Sequence, residues 1–257
     1  MKNFEIDITY RCNLTCKWCN RLCNTPFCKP IDMSLDMIKK YFTLMSEQVH
    51  PFSRIAILGG EPTLHPQFLE ILNLASIILL PKLKVPILII SNGVSDYTRN
   101  ILDEVKKIYY TVTTSCSNCV TGFRILKPQK NLAQFCLIYS KYKAEYKHQS
   151  IFRASIDLIS PENFKRCWIR RDAGSGFTPY GIFPCAGPAV AISTIFNLSN
   201  VGLDHIPSEE EDIIQRYQIC KYCYIPCEKC ISTDITKTYE QQLQKWNQHP
   251  SFLTVLT

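Results

Sequence analysis

Arg54-Ile55-Ala56-Ile57-Leu58-Gly59-Gly60-Glu61-Pro62 is a short apolar run halted by a glycine pair, an acid and a proline. Too short for a helix and closed by chain-turning residues, it reads as a buried strand. The same texture recurs on either side. Phe4 to Thr9 alternates and runs into a polar, cysteine-rich loop, and Pro86 to Ile90 is stopped by Ser91-Asn92-Gly93. Tyr109 to Thr114 reads as a fourth strand and Ile151 to Leu158 as a fifth. Between them, Ser34 is an N-cap for a helix to about Val49, and Pro66 to Leu80 and Asp96 to Lys107 are helical. Short apolar strands alternating with helices predict an α/β fold with a parallel sheet, either doubly wound or a partial barrel. In such folds the chemistry gathers beyond the carboxyl ends of the strands. Here every strand end carries a polar cluster.

The 257 residues are 46% hydrophobic and 20% charged, which excludes wholesale disorder. The longest apolar run, Ile71 to Leu80, is cut by Pro81, Lys82 and Lys84, short of a membrane span. Met1-Lys2-Asn3-Phe4-Glu5 is no basic-then-apolar leader, so a cytoplasmic location is expected. In that reducing setting the 14 cysteines point to metal rather than disulfides. The formal charge of +7 is spread without a basic arm, so no nucleic-acid partner and no membrane partner are expected. Cluster-bound thiolates would lower it to roughly +4.

After β-rich beginnings the texture changes, and a boundary is expected near Pro161. It divides residues 1–160, an α/β unit, from 161–233, a small cysteine-rich domain. The latter holds a hairpin through Phe177 to Cys185 and is followed by a closing helix and tail at 234–257, N-capped by Asp234 and helical from Ile235 to Gln248.

Directly after the first strand, Cys12-Asn13-Leu14-Thr15-Cys16-Lys17-Trp18-Cys19 spaces its thiols C-x3-C-x2-C. A cubic iron–sulfur cluster takes four thiolates, one per iron. A loop offering three leaves one iron open to a small molecule, as catalytic metal sites do. The alternative is a closed zinc site, with Cys23 or Cys28 as the fourth ligand.

On these residues the chain resembles the radical S-adenosylmethionine (SAM) superfamily, whose signature is C-x3-C-x-aromatic-C with Trp18 at the aromatic position. The resemblance implies a partial (β/α) barrel of the radical SAM type. Cys12, Cys16 and Cys19 would hold a [4Fe–4S] cluster and SAM would bind its open iron. Reductive cleavage would then yield a 5′-deoxyadenosyl radical that abstracts hydrogen from an unactivated C–H bond. Gly59, Gly60, Glu61 and Pro62 match the family's GGEP motif for the methionine ammonium, and Ser91 and Asn92 its polar pair near the ribose. Each motif alone would be an ordinary turn.

Cys167 and Cys185 bracket a hairpin, and Cys220, Cys223, Cys227 and Cys230 follow. This is similar to the twitch domain, a shortened SPASM domain, as in butirosin-type aminocyclitol dehydrogenases. It implies an auxiliary [4Fe–4S] cluster on Cys167, Cys185, Cys220 and Cys223, with Cys227 and Cys230 as alternative ligands; a zinc site on the last four cysteines is the other reading. A fully ligated cluster suits an electron acceptor, hence an oxidoreductase acting on a small molecule or peptide, fed by a donor such as flavodoxin or ferredoxin. Cys116 or Cys119, after the fourth strand, would instead serve an epimerase as hydrogen donor, or be ordinary buried cysteines. A non-enzymatic zinc or iron–sulfur protein is the rival class. Arg153 and Asp157 are candidate substrate contacts, Cys136 a core residue, and the five histidines are expected on loops or the surface.

Overall fold

The computed structural model describes residues 2–14, 19, 21–24, 28–51, 53–109, 113–115, 123–126, 135–140, 167 and 169–220. The strands are β1 (Phe4–Thr9), β2 (Ile55–Gly59), β3 (Ile87–Ser91), β4 (Thr113–Ser115), β5 (Phe123–Leu126), β6 (Phe135–Ser140), β7 (Ser175–Thr178) and β8 (Gly181–Phe183). They form one sheet in the order β4-β5-β6-β3-β2-β1-β7-β8. Its five central strands, β6-β3-β2-β1-β7, are parallel, and antiparallel pairings close both edges. This is the mixed α/β, parallel-rich sheet expected of a partial (β/α) barrel.

The helices are α1 (Leu35–Gln48), α2 (Phe68–Ile78), α3 (Asp96–Tyr109), α4 (Gly187–Ile195) and α5 (Glu209–Cys220). Ser34 caps α1 as expected, its Oγ accepting from the Met37 N–H at 3.3 Å. Ile38, Phe42 and Met45 of α1 and Ile71, Leu72 and Ala75 of α2 pack on Phe4, Ile6, Ile8, Ile55, Ile57, Ile87 and Ile89. Because side chains alternate along a strand, Glu5, Asp7, Ala56, Leu58, Leu88 and Ile90 take the opposite, inner face. None of the helices among the described residues is long and apolar enough to cross a membrane.

One expectation changes. Tyr109 ends α3 instead of opening a strand: Leu102 and Val105 continue the buried stripe, and Lys106 and Lys107 suit a helix C-terminus. The strand beside β3 is β6, in register from Ile87↔Phe135 to Ser91↔Tyr139, while β4 lies at the sheet edge, paired antiparallel with β5. The expected fifth strand at 151–158, the helix at 235–248, Arg153 and Asp157 lie outside the described residues.

The hairpin expected between Phe177 and Cys185 is present as β7 and β8, and β7 joins the main sheet beside β1. A second apolar core follows from this. Tyr10, Cys23, Ile169, Phe183, Ile192, Phe196 and Ile219 are buried together, and Cys12, Cys19, Cys28, Cys167 and Cys185 pack half-buried against them. Both cysteine-bearing regions thus rest on the same apolar body.

Phe177 connects that hairpin to the first core. It is fully buried, with its ring edge-on to Phe4 at 5.7 Å and to Tyr41 at 5.2 Å. Phe177→Ala is expected to cost about 3–5 kcal/mol of stability, read by urea unfolding. A loss below about 1 kcal/mol would mean that the hairpin does not brace the sheet.

Candidate active site

Three strand ends meet. After β2 the chain crosses the segment that leaves β1: the Gly60 N–H donates to Thr9 O and the Glu61 N–H to Arg11 O, both at 2.8 Å. The approach is too close for a side chain. A Cβ on Gly59 would lie 2.1 Å from Thr9 O, and one on Gly60 2.2 Å from Arg11 O. Gly59 also has φ +146°, in the region other residues avoid.

Glu61 then ties the end of β2 to the end of β3. Its Oε1 accepts from Ser91 Oγ and Thr63 Oγ, each at 2.8 Å, and from the Thr63 N–H at 3.2 Å. Its Oε2 accepts from the Asn92 N–H at 2.7 Å. Burial raises the Glu61 carboxyl above the usual range, opposed by the donors from Asn92, Ser91 and Thr63. Asn92 in turn donates from Nδ2 to Asn13 Oδ1 at 2.7 Å, tying β3 to the cysteine loop. Gly59, Gly60, Glu61, Pro62, Ser91 and Asn92 are therefore gathered beside Cys12.

The cysteine loop is held by further contacts that spacing did not reveal. Asn24, at φ 60°, donates from Nδ2 to Cys12 O and Leu14 O, both at 2.8 Å. Thr9 Oγ1 donates to Asp32 at 2.6 Å, and Arg11 Nε to the same carboxylate at 2.8 Å. Arg21 reaches back to Asp7 on β1, whose other oxygen accepts from the Tyr10 hydroxyl at 3.0 Å. The sequence signal for this network is the acid at the centre of an otherwise apolar strand, Phe4-Glu5-Ile6-Asp7-Ile8.

Among the described residues Cys12, Cys19, Cys23 and Cys28 form no disulfide, and Cys23 is hydrogen-bonded to both Cys19 and Cys28. Its bond with Cys19 lowers the Cys23 pKa, but the bond with Cys28 and burial outweigh it and push the thiol up. The Cys19 thiol is pushed up by its bond with Cys23 and by burial. Around the second group, the Ile169 and Arg170 N–H groups donate to Cys167, and Cys220 interacts electrostatically with Cys185 and Cys167. Burial pushes both the Cys167 and the Cys220 thiols up. Such groups favour staying protonated or giving the proton up to a metal.

Among the described residues no three His, Cys, Asp or Glu side chains stand in ion-holding geometry. Cys16 and Cys223, each needed to complete its expected set, lie outside them, as do Trp18, Cys116, Cys119, Cys227 and Cys230. His65 lies on the turn before α2. It is 2% exposed, with Nε2 2.9 Å from Met33 O and Nδ1 accepting the Gln67 N–H at 3.1 Å, so it braces the start of α2.

Glu61→Ala leaves the Ser91 hydroxyl and the Asn92 and Thr63 N–H groups without their acceptor. It is expected to cost about 2–4 kcal/mol in thermal unfolding, together with ligand affinity at this strand-end site. An unchanged melting curve would show that the carboxylate does not join the strands.

No curated protein matches the chain. Among solved structures, BtrN in complex with AdoMet and 2-DOIA is 14% identical with a TM-score of 0.44, covering 94% of this chain and 87% of that one. Native anSMEcpe with bound AdoMet and Cp18Cys peptide is 12% identical with a TM-score of 0.37, covering 99% and 97%. Likenesses this distant decide nothing about the site. Residues 6–114, which run from β1 to the start of β4 and hold the three strand ends just described, match the Radical SAM superfamily.

Proposed function

We propose that the protein is a radical SAM enzyme that oxidises an unactivated C–H position of a small molecule or peptide. The observation that carries this reading is the meeting of the Cys12 loop, the Gly59–Pro62 turn and the Ser91-Asn92 strand end through Glu61, Asn92 and Asn13. Cys12, Cys16 and Cys19 would hold a [4Fe–4S] cluster, an all-thiolate complement suited to iron–sulfur chemistry. When bound, the cluster supplies the electron that cleaves SAM and so generates the hydrogen-abstracting radical.

The chain's own residues bind and orient. Both Glu61 oxygens already accept hydrogen bonds, so we assign the SAM ammonium to main-chain carbonyls of the Gly59–Pro62 turn. The carboxylate acts through Ser91 and Asn92, holding that strand end beside the cysteine loop. Leu58, Leu88 and Ile90 give the inner face beside this site an apolar lining.

Cys167, Cys185 and Cys220, with Cys223, would hold the auxiliary [4Fe–4S] cluster as electron acceptor. The packing of Cys167 and Cys185 on the apolar core that also carries Cys12 and Cys19 supports this. A flavodoxin or ferredoxin in the cytoplasm would supply electrons. Anaerobically reconstituted protein is expected to contain roughly eight irons and eight sulfides. After reduction it should form 5′-deoxyadenosine from SAM, and Cys12→Ala should abolish that product. Persistence of the product in Cys12→Ala would remove the reading.

A further inference from the structure

Arg21 lies in the cysteine loop, two residues beyond Cys19 and two before Cys23, yet its guanidinium is only 7% exposed. Nε donates to Asp7 Oδ1 at 2.9 Å, and one terminal nitrogen lies 2.9 Å from the same oxygen and 3.3 Å from Glu5 Oε2. Asp7 is fully buried and also accepts from Tyr10. Glu5 is shared with Arg54 at 3.2 Å, so two acids and two bases balance. Glu5 and Asp7, two apart on β1, present both carboxylates to one face.

A buried ion pair is a weak source of stability, since apolar residues of equal volume do as well. What it adds is direction, because a planar fork fits carboxylates in few geometries. The loop needs such direction. Leu22 and Asn24 adopt φ of 54° and 60°, and Asn24 ties the loop to itself, whereas Arg21 ties it to the sheet. Arg21 also brings a positive charge beneath a loop whose thiolates would carry negative charge when loaded.

We propose that the Arg21–Asp7–Glu5 arrangement is a latch that sets the cysteine loop on β1 in the position three-thiolate ligation requires, with Arg21 a positioning residue. This rests on the radical SAM reading above. Asp7 and Tyr10 complete the latch from the strand side.

The test compares wild type, Arg21→Met, Arg21→Lys and the double variant Asp7→Asn/Arg21→Met. Folding of the metal-free proteins is followed by circular dichroism and thermal melting. After anaerobic reconstitution and reduction, the electron paramagnetic resonance signal that changes on adding SAM reports the first cluster. The double variant, which removes both buried charges, is expected to melt near wild type yet give a SAM-responsive signal about tenfold weaker. Arg21→Met should show the same loss of signal. Arg21→Lys, which keeps the charge and loses the fork, should fall between. A wild-type signal in Arg21→Met, or its full return in the double variant, overturns the latch while leaving the function reading intact. A wild-type protein without any SAM-responsive signal removes that reading, and the latch with it.

Discussion

Two main-chain hydrogen bonds, from Gly60 to Thr9 and from Glu61 to Arg11, bring the turn after β2 across the segment leaving β1. The meeting of the three strand ends depends on that crossing. It requires two consecutive residues without side chains, since carbonyl oxygens occupy the space where each Cβ would sit. Once made, it delivers Glu61 to a buried position between two strands, and the carboxylate collects the polar groups at the end of β3. A buried acceptor with four donors is specific in a way an apolar contact is not, because a shift of either strand would leave donors without partners.

The two faces of the sheet divide the work. The helix-facing side is Ile and Phe, and its burial supplies the driving force for folding. The inner side carries Glu5 and Asp7 amid apolar neighbours, and their partners Arg54 and Arg21 arrive from β2's start and from the cysteine loop. The scaffold is therefore apolar where it needs stability and ionic where a loop must be placed.

The thiols extend this pattern. Cys12, Cys19, Cys23 and Cys28 on one side, and Cys167 and Cys185 on the other, lean on a common apolar core that includes Tyr10 and Phe183. Tyr10 and Tyr180 approach at 6.0 Å between ring centroids, linking the first loop to the β7–β8 turn. Burial raises the pKa of the Cys167 and Cys220 thiols, so their ionisation is favoured when a metal displaces the proton.

The central elements were legible in the order of residues because their signals are local. Phe4–Thr9 as a strand, Ser34 as an N-cap, and the stops at Gly59-Gly60 and Ser91-Asn92 follow from alternation, capping and turn chemistry. The gathering of motifs at strand ends followed from the parallel topology those signals demand. Contacts between distant residues were not legible. Alternation places Asp7 on a face but cannot say that Arg21 meets it, nor that Glu61 spends its oxygens on Ser91 and Asn92 instead of a ligand. The same holds for β6 pairing with β3, and for β7 joining β1: pairing partners are selected by packing across the whole sheet, and short-range propensity carries no information about them.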